Sequence, residues 1–97
     1  EDAFSQVHAD IAVLGGMGIT EKGIWNHNSL MVAAQRKMIA AAERCVFALD
    51  NSKFGRKALN LATAFDPRFT IITNTPPPPL VSKAIRNAKA RLVLTRR

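Results

Sequence analysis

The sequence is short of cysteine, of acidic residues and of long apolar runs, and each shortage excludes something. Cys45 is the single cysteine among 97 residues. No internal disulfide can staple the fold, and a lone thiol inside an apolar run predicts a reducing compartment. No stretch reaches the ~18 apolar residues of a membrane span, and no charged-then-apolar leader opens the chain. The expectation is a cytoplasmic protein without membrane contact. His8 and His27 have no second histidine or cysteine at ligand spacing, which predicts neither a metal site nor a metal cofactor; no other cofactor is expected. Asp and Glu number 7 against 14 Lys and Arg, a formal charge of +7. That balance suits nucleic acid or anionic metabolites. The basic residues are scattered, however, and no aromatics alternate with them as on a single-strand-binding face. Most of the charge therefore reads as solvated helix surface.

What is present is an ordinary globular composition, 47% hydrophobic and 22% charged, enough for one small domain with a core. The chain opens Glu1-Asp2 rather than with methionine, as a fragment or processed product would. Cys45 to Leu49 is a continuous apolar run that turns polar at Asp50 and meets a glycine at Gly55. A run of that kind predicts a strand buried on both faces, the state of a central parallel strand. Ligands collect beyond the carboxyl ends of such strands. Asp50, Ser52 and Lys53 offer a carboxylate, a hydroxyl and an ammonium at that end, enough to hold a small, anionic, hydroxylated molecule. The same residues also read as a plain turn with a solvated lysine.

Around this strand the pattern alternates. Glu1 to His8 reads as the end of a helix, and Asp10 to Leu14 as a short strand closed by Gly15-Gly16-Met17-Gly18, where another group can approach the backbone. Those glycines lack the rest of the dinucleotide fingerprint. Ile19 to His27 is expected to be irregular, with a turn at Gly23. Trp25 reads as a core-edge residue or a lid. Asn28 or Ser29 caps a helix predicted over Ser29 to Glu43. Its stripe is Leu30, Ala34, Met38 and Ala41, widened by Val32 and Ile39, with Gln35 elsewhere. Arg56 to Phe65 has helical spacing and predicts a short helix, ended by Asp66-Pro67. Phe69 to Thr73 is a β-branched strand, Pro76 to Pro79 a stiff connector, Leu80 to Ala90 an amphipathic helix and Arg91 to Thr95 a last strand. The fold class is thus α/β: a mostly parallel open sheet with helices packed on it and right-handed crossovers. Its exposed edges call for more chain or a partner.

The strand Ala9 to Leu14 with Gly15-Gly16, then Gly18-Ile19, Gly23, Asn28, Arg36-Lys37-Met38-Ile39 and Asp50-Asn51-Ser52-Lys53-Phe54-Gly55, together resemble the C-terminal effector-sensing domain of DeoR-type transcriptional repressors. The resemblance covers nearly the whole chain and implies a fold similar to the sugar-phosphate isomerase and CoA-transferase group, used for binding rather than turnover. It implies a phosphorylated sugar or related anion as effector, operator DNA bound through a winged helix-turn-helix, and a homo-oligomer. Residues 1–97 would then be the second part of the sensor, with the winged helix and the sensor's first half outside this chain. By position, Lys53 would meet the effector anion with help from Ser52, and Asp50 would accept from a sugar hydroxyl or orient Lys53. Gly15, Gly16 and Gly18 would let backbone amides approach, and Asn28 would bond the ligand or cap its helix. Ala33 and Gln35 stand where relatives often carry Glu and Lys, which would change the effector that fits. Two other classes stay open on the residues alone. One is an isomerase-like enzyme using Asp50 as base. The other is a basic nucleic-acid-binding domain with steep salt dependence.

Overall fold

The computed structural model describes residues 9–95; the helix expected over Glu1 to His8 lies outside them. Four strands form a parallel sheet: β1 (Ala9–Leu14), β4 (Ala42–Ala48), β6 (Phe69–Thr73) and β7 (Arg91–Leu94), in that spatial order. The lateral rows run Val13–Val46–Thr70–Arg91 and Ala48–Ile72–Val93. A second, antiparallel sheet holds β2 (Gly18–Thr20), β3 (Gly23–Asn26) and β5 (Asn60–Thr63), in the order β2-β3-β5. Two helices complete the fold, α1 (Ser29–Ala41) and α2 (Pro79–Asn87).

Strand alternation sorts the parallel sheet into two unlike faces. Ala12, Leu14, Cys45, Phe47, Phe69 and Ile71 point into one cluster with Ile39 of α1, Val81 and Ile85 of α2, and Ile19 and Ile24 of the small sheet. The Phe47 and Phe69 rings tilt against each other with centroids 4.9 Å apart. Each successive strand adds on the same side of the last, so right-handed crossovers all fall on one face, and both helices indeed share that core. The other face carries Ile11, Val13, Arg44, Val46, Ala48, Ile72, Arg91 and Val93. There Ile11 is 58% and Val13 70% exposed.

Several expectations need correction. Ile19 to His27 is not irregular but a β-hairpin, whose Ile19 and Ile24 are fully buried. The turn falls at Glu21-Lys22, and Gly23 opens β3 at φ +134°, with the Thr63 carbonyl where a Cβ would sit. Arg56 to Phe65 is not a helix: Asn60–Thr63 pairs with β3, and the Arg36 guanidinium donates to the carbonyls of Leu61 (2.7 Å) and Ala62 (3.0 Å). The helical spacing of Leu61, Ala62 and Phe65 is overridden by these long-range bonds. Helix α1 stops at Ala41, not Glu43. Arg68 donates to the carbonyls of Ile39 (3.0 Å) and Ala42 (2.9 Å), which satisfies last-turn acceptors without a glycine cap. The inward line of α1 is Val32, Gln35 and Ile39, and Leu30 is 81% exposed. The predicted stripe was rotated because Gln35, a polar residue, faces in.

The central strand is likewise covered on one face only: Cys45 and Phe47 are fully buried, Arg44 and Ala48 exposed. Phe69–Thr73 matches its predicted span. Helix α2 begins on Pro79, where a missing N–H costs nothing. It ends in a Schellman pair: Lys89 N–H donates to the Arg86 carbonyl and Ala90 N–H to that of Ile85, with Lys89 left-handed at φ 62°.

Candidate functional site

All four parallel strands deliver their carboxyl ends to one edge of the sheet. Gly15-Gly16 follow β1, Asp50 to Lys53 follow β4, Asn74 follows β6 and Thr95 follows β7. Between the last three turns lies a cleft of about 310 Å³, lined by Ala48, Leu49, Asp50, Ile72, Thr73, Asn74 and Thr95. Its apolar floor is the end of β4 and β6. Its rim is a carboxylate, an amide and a hydroxyl.

The rim is built by side chains bonding to backbone. Asp50 caps the 3-10 turn Asn51–Lys53 by accepting from the Ser52 N–H (2.9 Å), and its carboxylate also accepts from the Ser52 hydroxyl. The Ser52 hydroxyl, then the Ser52 N–H, hold the Asp50 carboxyl below the usual aspartate range, with Lys53 and Arg56 adding a weaker coulombic pull. Asp50 is therefore a carboxylate at neutral pH, an acceptor only. Asn74 ties the neighbouring turn down: its Oδ1 accepts from the Asn51 N–H (2.8 Å) and its Nδ2 donates to the Asn51 Oδ1 (3.2 Å). Thr95 N–H donates to the Thr73 carbonyl at 2.8 Å. Sequence reasoning missed Asn74 and Thr95. The signal was there, since each ends a predicted strand on the edge where ligands collect.

The other named residues fall in different places. Lys53 is half-buried on the turn beside the cleft, close enough to act on Asp50. Gly15 is exposed with nothing where its Cβ would sit. Its carbonyl accepts from Gln35 Nε2 (2.9 Å), and Gln35 Oε1 accepts from Asn26 Nδ2 (2.6 Å). Gln35 is thus a buried brace for the glycine turn. A Cβ on Gly16 would meet Ile24, and one on Gly18 would meet the Arg56 carbonyl. Gly18 is filled by this chain's own backbone: Gly55 N–H donates to the Ile19 carbonyl at 2.9 Å, which lays the Lys53 to Arg56 segment along β2. Asn28 caps α1, accepting from the N–H groups of Leu30 (2.8 Å) and Met31 (3.2 Å). Trp25 is no lid, for its indole N–H donates to Thr20 Oγ1 (2.9 Å) inside the hairpin. Among the described residues no group of three His, Cys, Asp or Glu could hold a metal.

Cys45 lies in the core away from the cleft, opposite Phe69 at the start of β6, and burial pushes its thiol up, against a lowering by Arg68. It is a neutral, inaccessible thiol rather than a nucleophile.

Two comparisons bear on this geometry. The chain is similar to an L-fucose operon activator of Haemophilus influenzae, 35% identical over 60 residues. That match covers 61% of this chain and 24% of the relative, so the chain corresponds to about a quarter of the length of that protein. Residues 1–75 match the DeoR C-terminal sensor domain, and they contain the glycine turn, α1, the Asp50 to Gly55 turn and β6. The α/β chain with its strand-end cleft therefore belongs to the DeoR C-terminal sensor domain family.

Proposed function

We propose that the cleft beyond β4, β6 and β7 binds a phosphorylated sugar or a related small, hydroxylated anion, and that this binding controls transcription through a DNA-binding part of the same regulator. The observation that carries the reading is the rim itself. Asp50 and Asn74 offer an acceptor and an amide to sugar hydroxyls, and Lys53, on the adjoining turn and outside the cleft lining, is near enough to act on the Asp50 charge and supplies the cation for an anionic group. A polar rim over an apolar floor, with a lysine on the adjoining turn, suits a hydroxylated anion better than a purely apolar ligand. The relative is an activator, so family membership carries control of transcription rather than its sign. The regulator binds rather than turns over its ligand, works in the cytoplasm as a homo-oligomer, and meets its operator through a winged helix outside this chain. Among the described residues no helix is long and apolar enough to cross a membrane.

The test is a thermal-shift screen of the full-length regulator against sugar phosphates, free sugars and sugar acids. A ligand at a hundred times its Kd stabilises the fold by about 2.7 kcal/mol. One phosphorylated sugar should raise Tm, and Lys53→Ala should remove that rise while leaving the ligand-free Tm unchanged. A hit that survives both Lys53→Ala and Asn74→Ala would place the effector elsewhere.

A further inference from the structure

The Gly15-Gly16 turn closes β1, the lateral neighbour of β4, on the edge that also carries the Asp50 to Lys53 turn. Leu49 joins the two places. It lines the strand-end cleft, and its Cδ2 stands 3.4 Å from where a Cβ on Gly16 would sit. Two glycines in succession make a peptide unit that rotates with little steric resistance. Unbraced, it would show that edge its carbonyl as readily as its N–H. Here one direction is held. The Gly15 carbonyl accepts from Gln35 Nε2 at 2.9 Å, and Gln35 Oε1 accepts from Asn26 Nδ2 at 2.6 Å. Gln35 and Asn26 are 7% and 2% exposed, so water competes little for these bonds. Asn26 also decides which end of the Gln35 amide meets the turn: the oxygen is engaged, and the nitrogen is left for Gly15.

The consequence lies on the other side of the same peptide. The Gly15–Gly16 bond is trans, and a trans peptide sends its C=O and its N–H in opposite directions. With the carbonyl drawn in to Gln35 of α1, the Gly16 N–H points away from that helix at the end of β1. Among the described residues it donates to no acceptor. Space is open beside it, for nothing lies within 4 Å of where a Gly15 Cβ would be. Given an effector bound at this edge, as proposed above, we infer that Gln35 is a positioning residue for it. Gln35 does not touch the effector. By holding the Gly15 carbonyl it aims the Gly16 N–H at the effector's anionic group, alongside the Lys53 ammonium. A reversed peptide would set a carbonyl oxygen against the anion instead, and hydrogen bonds to a charged partner are the strong ones.

Inorganic phosphate is the probe, titrated into the full-length regulator labelled with 15N-glycine, with the Gly16 signal assigned through Gly16→Ala. The Gly16 amide proton should move downfield and saturate. Gln35→Met keeps the volume and the neutral charge but removes both bonds, and phosphate should then bind roughly tenfold more weakly, the worth of one charge-assisted hydrogen bond. Asn26→Ala cuts the other end of the network. Its Tm should fall as far, yet the Gln35 amide still donates to Gly15, and the phosphate Kd should stay within about twofold, since no bond to the anion is lost. If Gln35→Met does not fold, Gln35→Glu serves with the same expectation, because it keeps the bond from Asn26 and turns an oxygen on the Gly15 carbonyl. Equal losses of affinity in Gln35→Met and Asn26→Ala, following Tm, would make Gln35 merely structural and overturn the inference. So would a Gly16 signal indifferent to phosphate while Lys53→Ala still weakens phosphate binding, which leaves the effector site standing without Gln35. Indifference to Lys53→Ala as well would bring down the effector reading with it.

Discussion

Asp50 and Asp66 are both acidified by a neighbour two residues on, and the neighbour differs. Ser52 supplies a hydroxyl and an N–H to Asp50; Arg68 supplies its side chain, then its N–H, to Asp66. Ser52→Ala should therefore move the Asp50 carboxyl up toward the ordinary aspartate range, read by carboxyl NMR during a pH titration. Asp66 should stay where it is. A carboxyl whose folded pKa is depressed stabilises the fold above its unfolded value, about pH 4. That stability is lost as the pH falls through the lowered folded value. Arg68→Ala should flatten this acid dependence and also leave the Ile39 and Ala42 carbonyls without their donor. A loss of about 1–2 kcal/mol is expected in urea unfolding at neutral pH. Gln35 has a similar structural charge: Gln35→Ala strands the buried Asn26 amide and frees Gly15, for a loss of about 1–3 kcal/mol. None of this was legible in the sequence. A polar residue at a core position of a helix becomes meaningful only once its partners, 9 and 20 residues away, are known to meet it.

At the scale of elements, both helix ends have readable chemistry. Asn28 was expected either to bind a ligand or to cap α1, and two N–H bonds assign it the cap. Asn28→Ala should cost about 1 kcal/mol by chemical denaturation. Lys89 sits at the left-handed position after α2, which an ordinary residue occupies at a cost of roughly 1–2 kcal/mol. Lys89→Gly should raise the unfolding midpoint, a gain of a few tenths to about 1 kcal/mol after the added freedom of the unfolded chain. Elements with strong local signals were legible: β6 by its β-branched run, α2 by its amphipathic face and prolines, β4 by its apolar stretch. The small sheet was not. Its strands are three or four residues long, too short for a period to show, and β5 finds β3 across more than thirty residues.

For the whole molecule, winding decides where function can sit. Strands added always to one side gather their crossovers on one face and their carboxyl ends on one edge. The Asp50 to Lys53 turn could be placed on that edge from the sequence because β4 is unmistakable. Asn74 and Thr95 were legible as strand ends on that edge, but strand order was needed to put β6 and β7 next to β4 and so single them out. The site should therefore fail piecewise. Asn74→Ala should loosen the Asn51 turn, weaken effector binding and speed amide exchange at Asn51. The same variant should leave exchange in β1 untouched.

Strand β1 has one further property, and it concerns solubility. Among the described residues it is the outermost strand of its sheet, paired with β4 alone, and it shows Ile11 and Val13 to solvent. An unpaired edge with an apolar face is a template for another chain to extend. In the 97-residue chain, the +7 charge is what keeps copies apart. Raising the salt should screen it, so turbidity should begin at lower protein concentration in 0.5 M than in 0.05 M sodium chloride, where the Debye lengths are about 4 and about 14 Å. Ile11→Lys, a charge set on the edge itself, should abolish that salt response. A nick that frees this piece from a longer polypeptide would then do more than remove a sensor: it would release a self-associating species.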